Sequence, residues 1–226
     1  MIGLLNLLGS FALNIASSAA YDAYKSKDGK NTVGIFRVKD INSRQIMGDR
    51  GDVGNGFHPE LYYLPLVGSA VSDAVSNSSI NLIVITGRFA SGKSRAVYEF
   101  LKSNDCTYRN VYIVPTEGRS CIESASIQIK KLKPDDTIVV IDDINKLFDE
   151  KASDLGLGDF LSSLTNRSFK VLITISTGER FYKRFMDNCR VGSDTYRGTR
   201  SNSVIKTIEI PKIEKDSMVC RSRSLK

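Results

Sequence analysis

Tryptophan is absent from this 226-residue chain, histidine occurs once and proline five times. The four cysteines, Cys106, Cys121, Cys189 and Cys220, stand far apart with no Cys-x-x-Cys pair, and His58 is the single imidazole. That spacing excludes a zinc-finger pattern and a disulfide framework, and it is the usage of reduced cytosolic thiols. His58 lies in a His58-Pro59-Glu60 loop and is assigned no role. Hydrophobic residues make up 41% and charged residues 25%. This mixture excludes a collagen-like chain, a low-complexity tail and a polytopic membrane protein. The length suits one domain, two at most.

Charge is scarce at one end and concentrated at the other. No charged side chain occurs from Met1 to Tyr21; the first is Asp22. The net charge is +7, and Arg180 to Lys226, with 12 basic and 5 acidic residues, carries all of it. Aromatic residues are nearly absent from this basic tail beyond Tyr196, so a solvated terminus is favoured over a nucleic-acid surface.

In the uncharged N-terminal stretch, Asn6, Ser10, Asn14, Ser17 and Ser18 form one narrow stripe of a helix, and Leu4, Leu5, Leu8, Phe11, Leu13 and Ile15 cover the rest. A secretory signal peptide is not favoured, because no Lys or Arg precedes the apolar stretch. Two readings stand for residues 1–24: an amphipathic helix packed on the domain or on a partner chain, or membrane contact through residues 2–20, near the lower length needed to span a bilayer. Residues 25–60, rich in Gly, Asp, Lys and Asn, are expected to be a linker holding one short hairpin strand near Val33–Val38.

From Asn81 onward the pattern changes. Apolar runs at Asn81–Thr86, Asn110–Val114, Thr137–Ile141, Val171–Ser176 and Val204–Ile210 alternate with helical patterns, among them Ala96–Leu101, Leu155–Leu164 and Phe181–Met186. Continuous apolar strands separated by helices predict an α/β fold around a parallel sheet with both faces covered.

Between the first strand and its helix lies Gly87-Arg88-Phe89-Ala90-Ser91-Gly92-Lys93-Ser94, which fits G-x-x-x-x-G-K-[ST]. Gly87 permits the tight exit from the strand, and Gly92 lets the backbone approach phosphate oxygens without a Cβ in the way. Successive N–H groups and the start of the next helix then face an anion. Lys93 supplies a point charge for the β- and γ-phosphates, and the Ser94 hydroxyl is a hard oxygen for Mg²⁺. A chance match in a chain of this length has odds of roughly one in a hundred. Residues Gly87 to Arg95 are therefore the expected ATP phosphate site. No Asn-Lys-x-Asp run is present, which favours adenine over guanine.

The strand Thr137–Ile141 ends in Asp142-Asp143. The first acid at such a tip holds Mg²⁺ opposite the loop hydroxyl, and the second polarises the attacking water. Asp142 and Ser94 are thus the expected metal residues and Asp143 the expected general base, with Lys93 completing the catalytic group. Aspartate is shorter than glutamate, so slow hydrolysis is expected. At the tip of the fourth strand, Thr177 is placed to bond the water or γ-phosphate, and Arg180 to sense the phosphate with its planar fork.

These residues resemble a known group. Gly87 to Leu101, through Gly92-Lys93-Ser94-Arg95 and Tyr98-Glu99-Phe100-Leu101, is similar to the phosphate-loop helix of bacterial STAND-class signalling and defence ATPases. Val139 to Leu147 resembles their apolar run followed by two acids and a short helix. Ile173 to Arg180 resembles their sensor strand, Tyr62-Tyr63-Leu64-Pro65 their aromatic-Pro segment beside the adenine, and Ile208-Glu209-Ile210-Pro211 the strand that ends their core. The similarity covers about residues 60 to 215. It implies a three-layer P-loop NTPase core of the ASCE type, related to AAA+ proteins, with five parallel strands in the order 5-1-4-3-2. It also implies an ATP- and Mg²⁺-dependent switch that controls a homo-oligomer or a partner protein. Leu66 stands where an arginine is usual, and the lid and repeat sensor usual in the class do not follow the fifth strand. Sensing of the γ-phosphate is then expected from Arg180 or a neighbouring subunit.

The expected organisation is an apolar helix (1–24), a linker (25–60), the NTPase core (61–215) and a basic tail (216–226). The protein is expected in the cytoplasm, with membrane association through its N-terminus as the alternative to a partner contact. Two other functions fit the composition: a small nucleic-acid motor or loader of a mobile element, and a non-hydrolysing scaffold with ATP as a structural ligand.

Overall fold

The computed structural model describes residues 34–48, 65–116, 121–147, 154–178 and 204–211, together with Tyr182, Lys183 and Phe185. The expected N-terminal helix, Tyr62-Tyr63, Arg180 and the basic tail lie outside these residues.

Four fully or largely buried strands form the middle of one sheet. Strand β2 (Ile80–Gly87), β4 (Thr137–Ile141) and β5 (Val171–Ser176) are buried along nearly their whole length, and β3 (Asn110–Ile113) is buried after its first residue. Unbroken apolar runs are what strands covered on both faces require. Strand β6 (Val204–Glu209) runs parallel to β2, and β2–β5, β5–β4 and β4–β3 are parallel as well.

The expected sheet of five parallel strands is corrected in one respect. A sixth strand, β1 (Gly34–Arg37), pairs antiparallel with β3, so the sheet is mixed and its order is β1-β3-β4-β5-β2-β6. The difference lies at that one edge; the parallel strands themselves run β6-β2-β5-β4-β3. Part of the segment expected as a linker therefore belongs to the domain. After β1 the chain makes a single turn at Val38–Asp40 and the short helix α1 (Ser43–Met47). Asn42 caps α1 through a reciprocal pair, accepting from Gln45 N at 3.1 Å while its own N–H donates to Gln45 Oε1 at 2.7 Å. Lys102 Nζ donates to the Lys39 carbonyl at 2.9 Å, which ties this turn to the neighbouring helix.

Helices cover both faces. Helix α2 (Pro65–Ser76) opens on a proline, whose fixed φ suits a first helical position. Helix α3 (Lys93–Lys102) buries Ala96, Val97, Phe100 and Leu101, and each of the two larger side chains contributes about 1.5–3 kcal/mol by leaving water. Together with α1 they pack on Ile83, Ile85, Val111, Ile138, Val140 and Leu172. The alternate residues Leu82, Val84, Tyr112, Val139, Ile141 and Ile173 face α4 (Cys121–Ile129) and α5 (Asp154–Asn166) on the other side. The two-residue period of the strands thus divides one apolar sequence between two cores, giving three layers.

At the sheet end where β2 and β5 begin, Lys170 is 7% exposed and its ammonium donates to the carbonyls of Asn77 and Ile80. Arg167 donates to Ile129 O at 2.6 Å and Leu132 O at 3.0 Å, closing the turn after α4.

Candidate functional site

The site lies at the opposite end, where β2, β5 and β4 finish. The registers Gly87↔Ser176 and Ile141↔Ile173 bring the tips of β2 and β4 to either side of β5. Residues that follow those tips must then face one another across it.

The loop after β2 is built from unusual backbone angles. Ala90 has φ 57° and Gly92 φ 93°, both left-handed. For Ala90 this costs about 1–3 kcal/mol unless the surroundings hold it. Ser91 N donates to Arg88 O at 3.2 Å, and Ala96 N makes the first helical bond to Gly92 O at 2.9 Å. Left-handed residues placed this way turn successive N–H groups toward one concavity. Gly87 is required on steric grounds, since a Cβ there would meet Ser91 Oγ at 2.5 Å and both Cβ and O of Ile210 at 3.3 Å. Ser91 Oγ is buried without a hydrogen-bond partner among the described residues.

Lys93 is 7% exposed, and its Nζ donates to Arg88 O at 2.8 Å and Gly87 O at 3.3 Å. Ser94 Oγ donates to Asp142 Oδ2 at 3.0 Å, across 48 residues of sequence. Asp143 has φ 57°, and its Oδ2 lies 3.9 Å from Lys146 Nζ. Arg95 pairs with Glu99, one helical turn on, and its guanidinium sits 5.9 Å from the Tyr98 ring centre. A cleft of about 170 Å³ is lined by Phe89 to Arg95, by Asp143, Thr174 and Ser176, and by Met47, and Asp142 stands behind it through its bonds to Ser94 and Thr174. Arg88 and Ala90 are exposed, and Phe89 is 72% exposed on the rim.

Most of the residues expected from the sequence thus meet in one place. Thr177 does not line the cleft: its backbone N–H donates to Gly87 O at 2.9 Å, so its contribution is to hold the β2 tip. The polar side chain of β5 that reaches the acids is Thr174, three residues earlier. Its hydroxyl donates to Asp142 Oδ1 at 2.7 Å and accepts from Asp143 N at 2.7 Å. The signal was present, as Thr174 is the one hydroxyl inside Val171-Leu172-Ile173-Thr174-Ile175 and is 1% exposed. Asn145, whose Oδ1 accepts from Ser176 N at 3.3 Å, was also missed, as was Met47.

The donor set fits Mg²⁺ rather than a metal held by protein alone. Among the described residues no group of three or more His, Cys, Asp or Glu side chains could hold a metal ion. One hydroxyl and one carboxylate already 3.0 Å apart are the hard-oxygen pair that suits a Mg²⁺ keeping its waters and substrate phosphates.

No protein-family model and no curated protein matches the chain. Among solved structures, it is similar to the structure of C. elegans PCH-2, with 16% identity over 79% of this chain and 48% of that one, and a TM-score of 0.46. The chain thus spans about half the length of PCH-2. It is also similar to the DnaC helicase loader, with 14% identity over 68% of this chain and 94% of that one, and a TM-score of 0.37.

Proposed function

We propose that this protein is an ATP-binding, Mg²⁺-dependent P-loop ATPase related to the AAA+ and STAND groups, working as a nucleotide-controlled switch with slow hydrolysis. The observation that carries the proposal is the Ser94–Asp142 contact at 3.0 Å, which joins the phosphate-loop motif to the acid pair. A solvated strand end would have no cause to meet the hydroxyl of a Gly-x-x-x-x-Gly-Lys-Ser loop.

In this mechanism the loop N–H groups bind the phosphates. Lys93 exchanges the carbonyls of Gly87 and Arg88 for β- and γ-phosphate oxygens. Ser94 and Asp142 would hold Mg²⁺, which would supply positive charge to offset that of the phosphates. Asp143 accepts a proton from the water that attacks the γ-phosphorus; the bond from that phosphorus to the bridging oxygen breaks, and ADP and phosphate leave. Asp143 is one methylene shorter than a glutamate and has Lys146 beside it, which supports slow turnover. The uncharged stretch from Met1 to Tyr21 supports a partner-contact or membrane-contact element on a cytoplasmic protein, with a homo-oligomer or partner protein reading the nucleotide state. Among the described residues no helix is long and apolar enough to cross a membrane.

The test is a calorimetric titration with ATP·Mg²⁺, run with phosphate release and with size analysis of the full chain. Lys93→Ala is expected to weaken ATP binding about 100-fold, roughly 2.7 kcal/mol, while the protein stays folded. Wild-type affinity in that variant would remove the phosphate-loop assignment. An unchanged particle size with and without nucleotide would remove control of assembly.

A further inference from the structure

Asp143 is held in a backbone conformation that L-residues seldom adopt, with φ 57°. Aspartate tolerates this region better than most residues but does not choose it unaided. Its N–H donates to Thr174 Oγ1 at 2.7 Å. A threonine hydroxyl has one hydrogen, and an amide N–H can only donate, so the Thr174 hydrogen must go to its other neighbour, Asp142 Oδ1, at 2.7 Å. One buried hydroxyl therefore fixes the backbone of one acid and an oxygen of the other. The parallel register runs to Ile141↔Ile173, and the residues that follow, Asp142 and Thr174, meet through this bond. Two residues further along β5, Ser176 N donates to Asn145 Oδ1 at 3.3 Å and ties down the far end of the same turn.

We infer that Thr174 is a positioning residue for the acid pair, holding Asp143 at the wall of the cleft and Asp142 turned toward Ser94. This inference rests on the ATPase reading, and it concerns a residue that need not touch the nucleotide. With its hydroxyl bound to both acids, Thr174 acts on the attacking water through Asp143 and on the metal through Asp142. Misplacing a reacting group by about 1 Å costs on the order of 100-fold in rate.

The experiment compares wild type with Thr174→Val, Thr174→Ala and Thr174→Ser in the full chain. Phosphate release is measured against ATP and Mg²⁺, and exchange of the Asp143 amide hydrogen is measured without nucleotide. Thr174→Val is expected to lower kcat about 100-fold. Its KM for ATP is expected to stay within about threefold and its half-saturating Mg²⁺ concentration to rise. Asp143 amide exchange is expected to quicken about tenfold or more, and Thr174→Ser to restore every quantity. Thr174→Ala carries the same comparison where the valine variant does not fold. A kcat within about twofold of wild type in Thr174→Val or Thr174→Ala overturns the inference, as does a loss that Thr174→Ser fails to restore. A wild type that binds and hydrolyses no ATP fails the ATPase reading instead. The exchange arm then decides the contact by itself, and equal protection of Asp143 with and without the hydroxyl overturns it.

Discussion

The Lys93 ammonium donates to the Arg88 carbonyl oxygen at 2.8 Å, so the loop that presents the lysine also holds it. Nucleotide binding requires that ammonium to leave two carbonyls for phosphate oxygens. A compact, rotatable cation can do so where a planar fork cannot. Lys93→Arg is therefore expected to keep the fold and lose ATP affinity by about tenfold or more, roughly 1.4 kcal/mol. Calorimetric titration reads this directly; unchanged affinity would mean that the side chain does not grip the phosphates.

Gly87→Ala tests the close approach at the base of the loop. The added Cβ meets Ser91 Oγ first and the Ile210 backbone next. The variant is expected to lose about 1–3 kcal/mol in urea unfolding. Adding Ser91→Ala should return part of that loss, because it removes the nearest atom. No recovery in the double variant would place the strain at Ile210.

Asp143→Asn keeps the shape of the side chain and removes its capacity to take a proton. ATP binding should stay within about threefold and phosphate release should fall about 100-fold. Chelation of divalent ions should stop release by wild type without unfolding it. Equal turnover in the variant would exclude Asp143 as the base.

Lys170 gives the protein a pH-dependent element away from the site. Burial pushes its ammonium below the ordinary 10.5, since leaving water disfavours the charged form. Between the lowered value and 10.5 the unfolded chain keeps a proton that the folded one has released, so stability contributed at this position rises with pH and levels off above 10.5. Lys170→Met also removes the donors that satisfy Asn77 O and Ile80 O, and should cost about 1–3 kcal/mol at neutral pH. The gap between wild type and Lys170→Met in urea unfolding should widen as pH rises toward 10.5. A gap that narrows would contradict a buried ammonium.

The sequence by itself determined the strand-and-helix alternation from Asn81 onward, the loop at Gly87–Ser94 and the acids at Asp142 and Asp143. Each is written in consecutive residues: an unbroken apolar run, a glycine spacing, two carboxylates at a strand end. Tertiary structure alone added the antiparallel edge strand and set the register between strands, and with it the side chains that meet at their ends. Gly34–Arg37 reads locally as a hairpin in a polar stretch, but its partner is β3, more than seventy residues on, and nothing in its own composition names that partner. Thr177, just past the end of β5, was the local choice for bonding the attacking water or the γ-phosphate. The side chain that the register of β5 against β4 brings to the acids is Thr174, since a parallel pair fixes contacts by alignment between strands and not by distance from a strand's end.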